Sequence, residues 1–156
     1  MNGEGIDIYG GSAAARKIRE IVTDIRLKGY SKAKPFAMGR VEKRMADYAK
    51  VNGITLASKS IYMSTHAIAH SLRDSKMSKG KTISLSVLAN FPRNRSKMDL
   101  YYDGEAFVYT DYRSKFIIHP NYELKINRSK VKKVNYITAT KVVDIKEFYG
   151  KRYTKI

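Results

Sequence analysis

At 156 residues with no cysteine, the chain has the length of one ordinary domain, and disulfides, thiolate catalysis and cysteine-ligated zinc are excluded. A formal net charge of +17, from 31 Lys and Arg against 14 Asp and Glu, makes a polyanion, above all nucleic acid, the expected partner. No apolar run reaches membrane-spanning length and no signal-peptide pattern opens the chain, which predicts a soluble, cytoplasmic protein with no membrane partner.

In chain order, the glycine-rich opening over 1–12 reads as a flexible tail, with Ser12 as the N-cap of a helix over 13–28. Ile18, Ile21, Val22 and Ile25 fall on one face of that helix and Gly29 stops it. Pro35 fits the first turn of a second helix carrying Val41, Met45 and Tyr48 and closed by Asn52-Gly53, and the two helices are expected to pair. Residues 54–63 suggest a strand leading into a helix over 65–77. Ser84 caps a short helix that Phe91-Pro92 should stop, and a basic loop follows.

Asp103-Gly104 marks a two-residue hairpin turn between LYY and EAFVY, with a second reversal at 112–114 before KFIIH. If that register holds, Phe107 and Tyr109 share one face and Tyr102 lies on another. NYITATKV reads as a strand, and Asp144 caps a short final helix through Tyr149. Helices first and antiparallel strands second give an α+β fold: one domain over 13–156, helical over 13–92 and β-rich over 93–156.

The basic excess is concentrated late. From Arg113 onward, 44 residues hold twelve Lys or Arg and three Asp or Glu. These charges are interleaved with strand patterns instead of lying along one amphipathic helix, which favours nucleic acid over a membrane surface.

His66, His70 and Arg73 fall at i, i+4 and i+7, which places them on one side of a helix. An imidazole beside a guanidinium suits acid/base cleavage of a phosphodiester, one group moving protons and the other holding the charged phosphate. His70 is the first choice for proton transfer and Arg73 for phosphate stabilisation, with Lys59, Lys76 and Lys115 as further cations. Tyr109 and Thr110 offer hydroxyls to the phosphate or sugar. Lys81, Arg93, Arg95, Lys132 and Lys133 complete the expected nucleic-acid contacts.

Each choice has a plainer alternative. His70 fits equally a half-buried helix residue bonded to a carbonyl, His66 fits a first-turn residue facing water, and His119 fits either a second acid/base group or an ordinary surface residue. HAIAH has the spacing of two zinc ligands but lacks the intervening Glu of the metalloprotease signature, so neither metal nor cofactor is expected. Most of the twelve tyrosines should be packing residues, some of them stacking on unpaired bases.

H-x-x-R-x-x-K-x-x-x-G-K over His70, Arg73, Lys76, Gly80 and Lys81, a short helix with Leu88 and Pro92, and strands with Asp99, Tyr109, Lys115 and Asn121 resemble the nuclease domains attached to phage head-morphogenesis proteins. These belong to the superfamily of barnase, EndoU, colicin and RelE ribonucleases. The likeness spans roughly 60–125 and departs at His119-Pro120, where the pattern has a β-branched strand residue. It implies amino-terminal helices on a twisted antiparallel sheet whose open face receives RNA. It further implies a metal-independent RNase-like effector of a phage or mobile element, delivered with a phage particle and held in check by an acidic immunity protein. The competing expectation is a non-catalytic module that binds nucleic acid or an acidic host protein.

Overall fold

The computed structural model describes residues 11–72, 83–127 and 129–156. Its elements are α1 (Gly11–Lys28), β1 (Phe36–Arg40), α2 (Lys43–Val51), β2 (Ser60–Met63), α3 (Thr65–Ser71), α4 (Leu85–Asn94), β3 (Asp99–Tyr102), β4 (Phe107–Thr110), β5 (Ser114–Asn127), β6 (Lys130–Val142) and β7 (Thr154–Lys155). Short 3₁₀ turns occupy Arg95–Lys97 and Ile145–Tyr149. The fold is α+β, with one seven-stranded sheet in the order β1-β2-β6-β5-β4-β3-β7. Every strand pair is antiparallel except β2 with β6.

α1 buries Ala14, Ala15, Ile18, Ile21 and Val22, the stripe its 3.6-residue period creates. It packs chiefly on α4 and α3, where the sequence had suggested the second helix as its partner. Ser12 lies inside α1, which begins at Gly11, and the rest of the expected tail is outside the described residues. Pro35 does not start a helix either. Residues 36–40 form β1, whose Phe36, Ala37 and Met38 are fully covered, and α2 begins only at Lys43. Burial on both faces selects strand there, and the pairing to β2 shifts register between Ala37 and Gly39. At Gly39 the Arg95 guanidinium lies so close that a Cβ would stand 2.7 Å from its Nη2.

Ser84 caps α4 as expected, its Oγ accepting from Val87 N at 3.2 Å. The helix nevertheless runs through Pro92 to Asn94. Pro92 lies within the last turn, so one ladder bond is lost, and the stack of Phe91 on Phe116, with ring centroids 3.9 Å apart and 9° between planes, favours continuing. The β3–β4 loop has four residues, not two, because Tyr102 pairs with Phe107. Only Gly104 takes a positive φ, +98°, while Asp103 Oδ1 accepts from the backbone of Glu105 and Ala106 at 2.9 and 2.8 Å. Register partners share a face, so Tyr102 lies on the same side as Phe107, not on another.

Two layers cover the sheet. On one face α1, α2, α3 and α4 bury Phe36, Met38, Ile61, Met63, Leu100, Phe107, Tyr109, Phe116, Ile118 and Ile137. On the other, Phe148 and Tyr153 cover Tyr101 and Val108, while Ala37, Tyr62, Leu124, Val134 and Tyr136 gather with Ala67 of α3. Asp144 caps the final turn, its Oδ1 accepting from Lys146 N at 2.9 Å, although that turn is 3₁₀ and not α.

Candidate functional site

β2 delivers the chain into α3 through Ser64, whose Oγ caps the helix by accepting from Ala67 N at 3.3 Å. The same Oγ is hydrogen-bonded to the hydroxyl of Tyr136 on β6, which ties the start of α3 to the sheet. Between them lies a groove of about 570 Å³, lined by Pro35, Ser64, Thr65, His66, Tyr122, Glu123, Leu124, Lys125, Tyr136 and Thr138. His66 is exposed on its α3 wall. On its sheet wall Thr138 Oγ1 meets His119 Nδ1 at 2.9 Å and the Ile117 carbonyl at 3.5 Å. The Thr138 hydroxyl thus stands between the His119 imidazole and that carbonyl.

At His119-Pro120 the β5–β6 register shifts, between His119 and Tyr122. Asn121 takes φ +54° there, a conformation Asn tolerates better than a β-branched residue. The bulge is held from within by Asn135, which is fully buried. Its Nδ2 donates to Ser58 O and Ser60 O at 2.8 and 3.0 Å, and its Oδ1 accepts from Ala57 N at 2.9 Å and Asn121 N at 3.5 Å. Beyond the bulge Tyr122 rests on Tyr136 with ring centroids 4.9 Å apart. Burial raises the Tyr136 hydroxyl above its usual pKa, partly offset by Ser64 and reinforced by Tyr122, so it stays a protonated donor.

Among the described residues, those singled out from sequence are not gathered in one place. His70 is half-buried on α3 and is not among the described residues that line the groove. Arg73, Lys76 and Lys81 lie outside the described residues. Tyr109 is completely buried; its hydroxyl donates to Glu42 Oε1 at 2.5 Å, Arg44 lies 5.5 Å from its ring, and burial followed by the Glu42 bond pushes its pKa up. Thr110 is also fully buried and spends its hydroxyl on Ser114 O and Tyr112 N. Neither offers a hydroxyl to a phosphate.

Lys115 is only 6% exposed, its Nζ 2.5 Å from Glu147 Oε2 and 3.2 Å from the Tyr153 hydroxyl. It pins the carboxy-terminal turn to the sheet instead of meeting a ligand. Lys59, Arg93, Lys133 and Lys125 are exposed and Arg95 is half-buried, with Nη1 lacking a hydrogen-bond partner among the described residues. Lys132 lies over the Tyr62 ring at 5.7 Å, and burial lowers its pKa. Sequence reasoning left the roles of His66 and His119 open. The signal that could have marked the sheet wall of the groove was Pro120-Asn121, the bulge across which the His119 and Tyr122 ring centroids lie 6.5 Å apart.

Burial pushes the Glu147 carboxyl up, but the bonds from Lys115 and Tyr153 and the charges of Lys115 and Arg152 hold it below its ordinary 4.5. A depressed carboxylate pKa stabilises the fold above the unfolded value and loses that contribution as pH falls through the folded one. Thermal melts should therefore show acid destabilisation setting in below about pH 4.5, and Glu147→Gln should flatten that part of the profile. An unchanged profile in the variant would mean the ion pair contributes nothing.

Among the described residues no three His, Asp or Glu side chains cluster as metal ligands would, and no helix is long and apolar enough to cross a membrane. Comparisons with protein-family models, curated proteins and solved structures gave no match to this chain.

Proposed function

We propose that the chain is an RNase-like protein that cleaves RNA without a metal, using His66 and His119 as the proton-transfer pair, and that it acts as an effector of a phage or mobile element. The observation that carries the reading is the groove itself. His66 stands on its helical wall, and His119, outside the lining, is hydrogen-bonded to Thr138 on its sheet wall, where Tyr122, Lys125 and Tyr136 also lie.

In such a reaction one imidazole removes the proton of the RNA 2′-hydroxyl, and the 2′-oxygen attacks the adjacent phosphorus. The bond from phosphorus to the 5′-oxygen breaks as the second imidazole protonates that oxygen, giving a 2′,3′-cyclic phosphate and a free 5′-hydroxyl. In this reading His119, held by Thr138, is the base, and His66, exposed to solvent, is the acid. Lys125, exposed in the groove lining, supplies positive charge to the phosphate as its negative charge grows.

Incubation with total RNA in EDTA tests this: wild type should degrade it and His119→Ala should not. A second reading, nucleic-acid binding without cleavage, is favoured by the net charge of +17 and would be left standing if the wild type bound RNA and cut none. In either case Lys133→Ala should lower the slope of log affinity against log salt by about 0.7, the contribution of one phosphate contact to a single strand. Titration by fluorescence anisotropy at several salt concentrations measures it, and an unchanged slope would remove Lys133 from the interface.

A further inference from the structure

β4 pairs with β5 only from Lys115 to Ile118, and β2 pairs with β6 only at Asn135 and Tyr136. Past the bulge, β5 and β6 therefore continue as a two-stranded ribbon, with Tyr122 opposite Val134, Glu123 opposite Lys133, Leu124 opposite Lys132 and Lys125 opposite Val131. Lys125, Lys130 and Lys133 are exposed on it; Lys125 lines the groove and Lys132 shares the face of Tyr122, while Lys133 lies on the opposite face across from Glu123, so one wall of the groove runs into a basic arm. At its root Tyr122 is 41% exposed although it is large and apolar. It is backed by the Tyr136 ring at 30°, and Tyr136 is in turn fixed to Ser64.

An aromatic ring held rigid from behind and open in front is a surface on which a planar base can stack, at little entropic cost. A base inside a duplex has both faces covered by its neighbours, so only an unpaired one can use such a shelf. We infer that the groove takes an unpaired stretch of RNA, with one base stacked on Tyr122 and the adjoining phosphates carried along the lysines of the β5–β6 ribbon. The choice of RNA rests on the nuclease reading above, whereas the shelf and the ribbon do not depend on cleavage.

The probe is a 2′-O-methyl oligonucleotide, which lacks the attacking hydroxyl, with 2-aminopurine replacing single bases in turn. Wild type and Tyr122→Phe should bind it and quench the fluorescence at one position. Tyr122→Ala should bind about 5- to 100-fold more weakly, without that quenching, while melting like the wild type because the side chain is exposed. Equal binding and quenching by Tyr122→Ala would overturn the inference, and so would equal affinity for a blunt duplex of the same sequence. Displacement of the strand by polyglutamate at equal charge concentration would also overturn it, by marking the surface as a site for an acidic protein.

Cleavage separates the two claims. If the 2′-O-methyl strand stacks while the ribose strand survives intact, the shelf stands and the nuclease reading falls. If Tyr122→Ala cuts RNA with unchanged KM, the shelf falls and the nuclease reading stands.

Discussion

His119→Ala is expected to lower RNA cleavage at saturation by ~10²- to 10⁴-fold, the range for loss of a positioned general acid or base, and to leave RNA affinity nearly unchanged. His66→Ala should do the same, and the double variant should lose little more than the worse single one, because the two groups act in one concerted proton transfer. Neither substitution opens a cavity in the core: His66 is exposed, and His119 is half-buried at a strand bulge. Single-turnover rates with a fluorescent RNA decide the matter. His70→Ala is the comparator, since His70 sits one helical turn beyond His66. A loss confined to His70→Ala, with both other variants active, would move the chemistry to the part of α3 away from the groove.

Phe91→Ala should destabilise the fold by ~3–5 kcal/mol, the usual cost of deleting a fully buried phenyl group. Its ring is inaccessible to solvent, stacked on Phe116 and edge-on to Tyr109 at 5.5 Å, so it joins α4 to the two central strands β4 and β5. Urea denaturation should show the loss as a lower midpoint with little change in slope. A loss under ~1 kcal/mol would mean that α4 does not continue through Pro92 onto the sheet as described.

These two residues also mark the boundary of what the amino-acid sequence made legible. The α+β class followed from helical periodicity in 13–28 and from turn residues in 99–122, both local signals. Phe91-Pro92 read as a stop because proline's missing N–H is a local fact, whereas the stack on Phe116 that outweighs it joins residues far apart in the chain. β1 was missed for a similar reason. FAMGR has no alternation to announce a strand, since its first three residues are covered on both faces of the sheet.

At the candidate site, the histidines and the basic excess were legible, but the grouping was not. The spacing of His66 and His70 drew attention to one helix. The groove instead joins α3 to β6 through Ser64–Tyr136, and His119 of β5 adjoins it only through Thr138 of β6. Tyr109, Thr110 and Lys115 carry suitable chemical groups, yet each side chain is buried and bonded within the protein. Burial of that kind depends on which strand lies central in the sheet, and neither residue type nor spacing reveals it.

The central claim is that the groove supports attack by the RNA 2′-hydroxyl, and the chemical ends of the products test it most directly. A short RNA with one ribose flanked by 2′-O-methyl nucleotides, incubated with the wild type in EDTA and analysed by mass spectrometry, should yield one fragment ending in a 2′,3′-cyclic phosphate and one beginning with a 5′-hydroxyl. Moving the ribose along the strand should move the cut with it. Fragments ending in 3′-hydroxyl and 5′-phosphate, or a strand bound but left whole at every ribose position, would contradict the account.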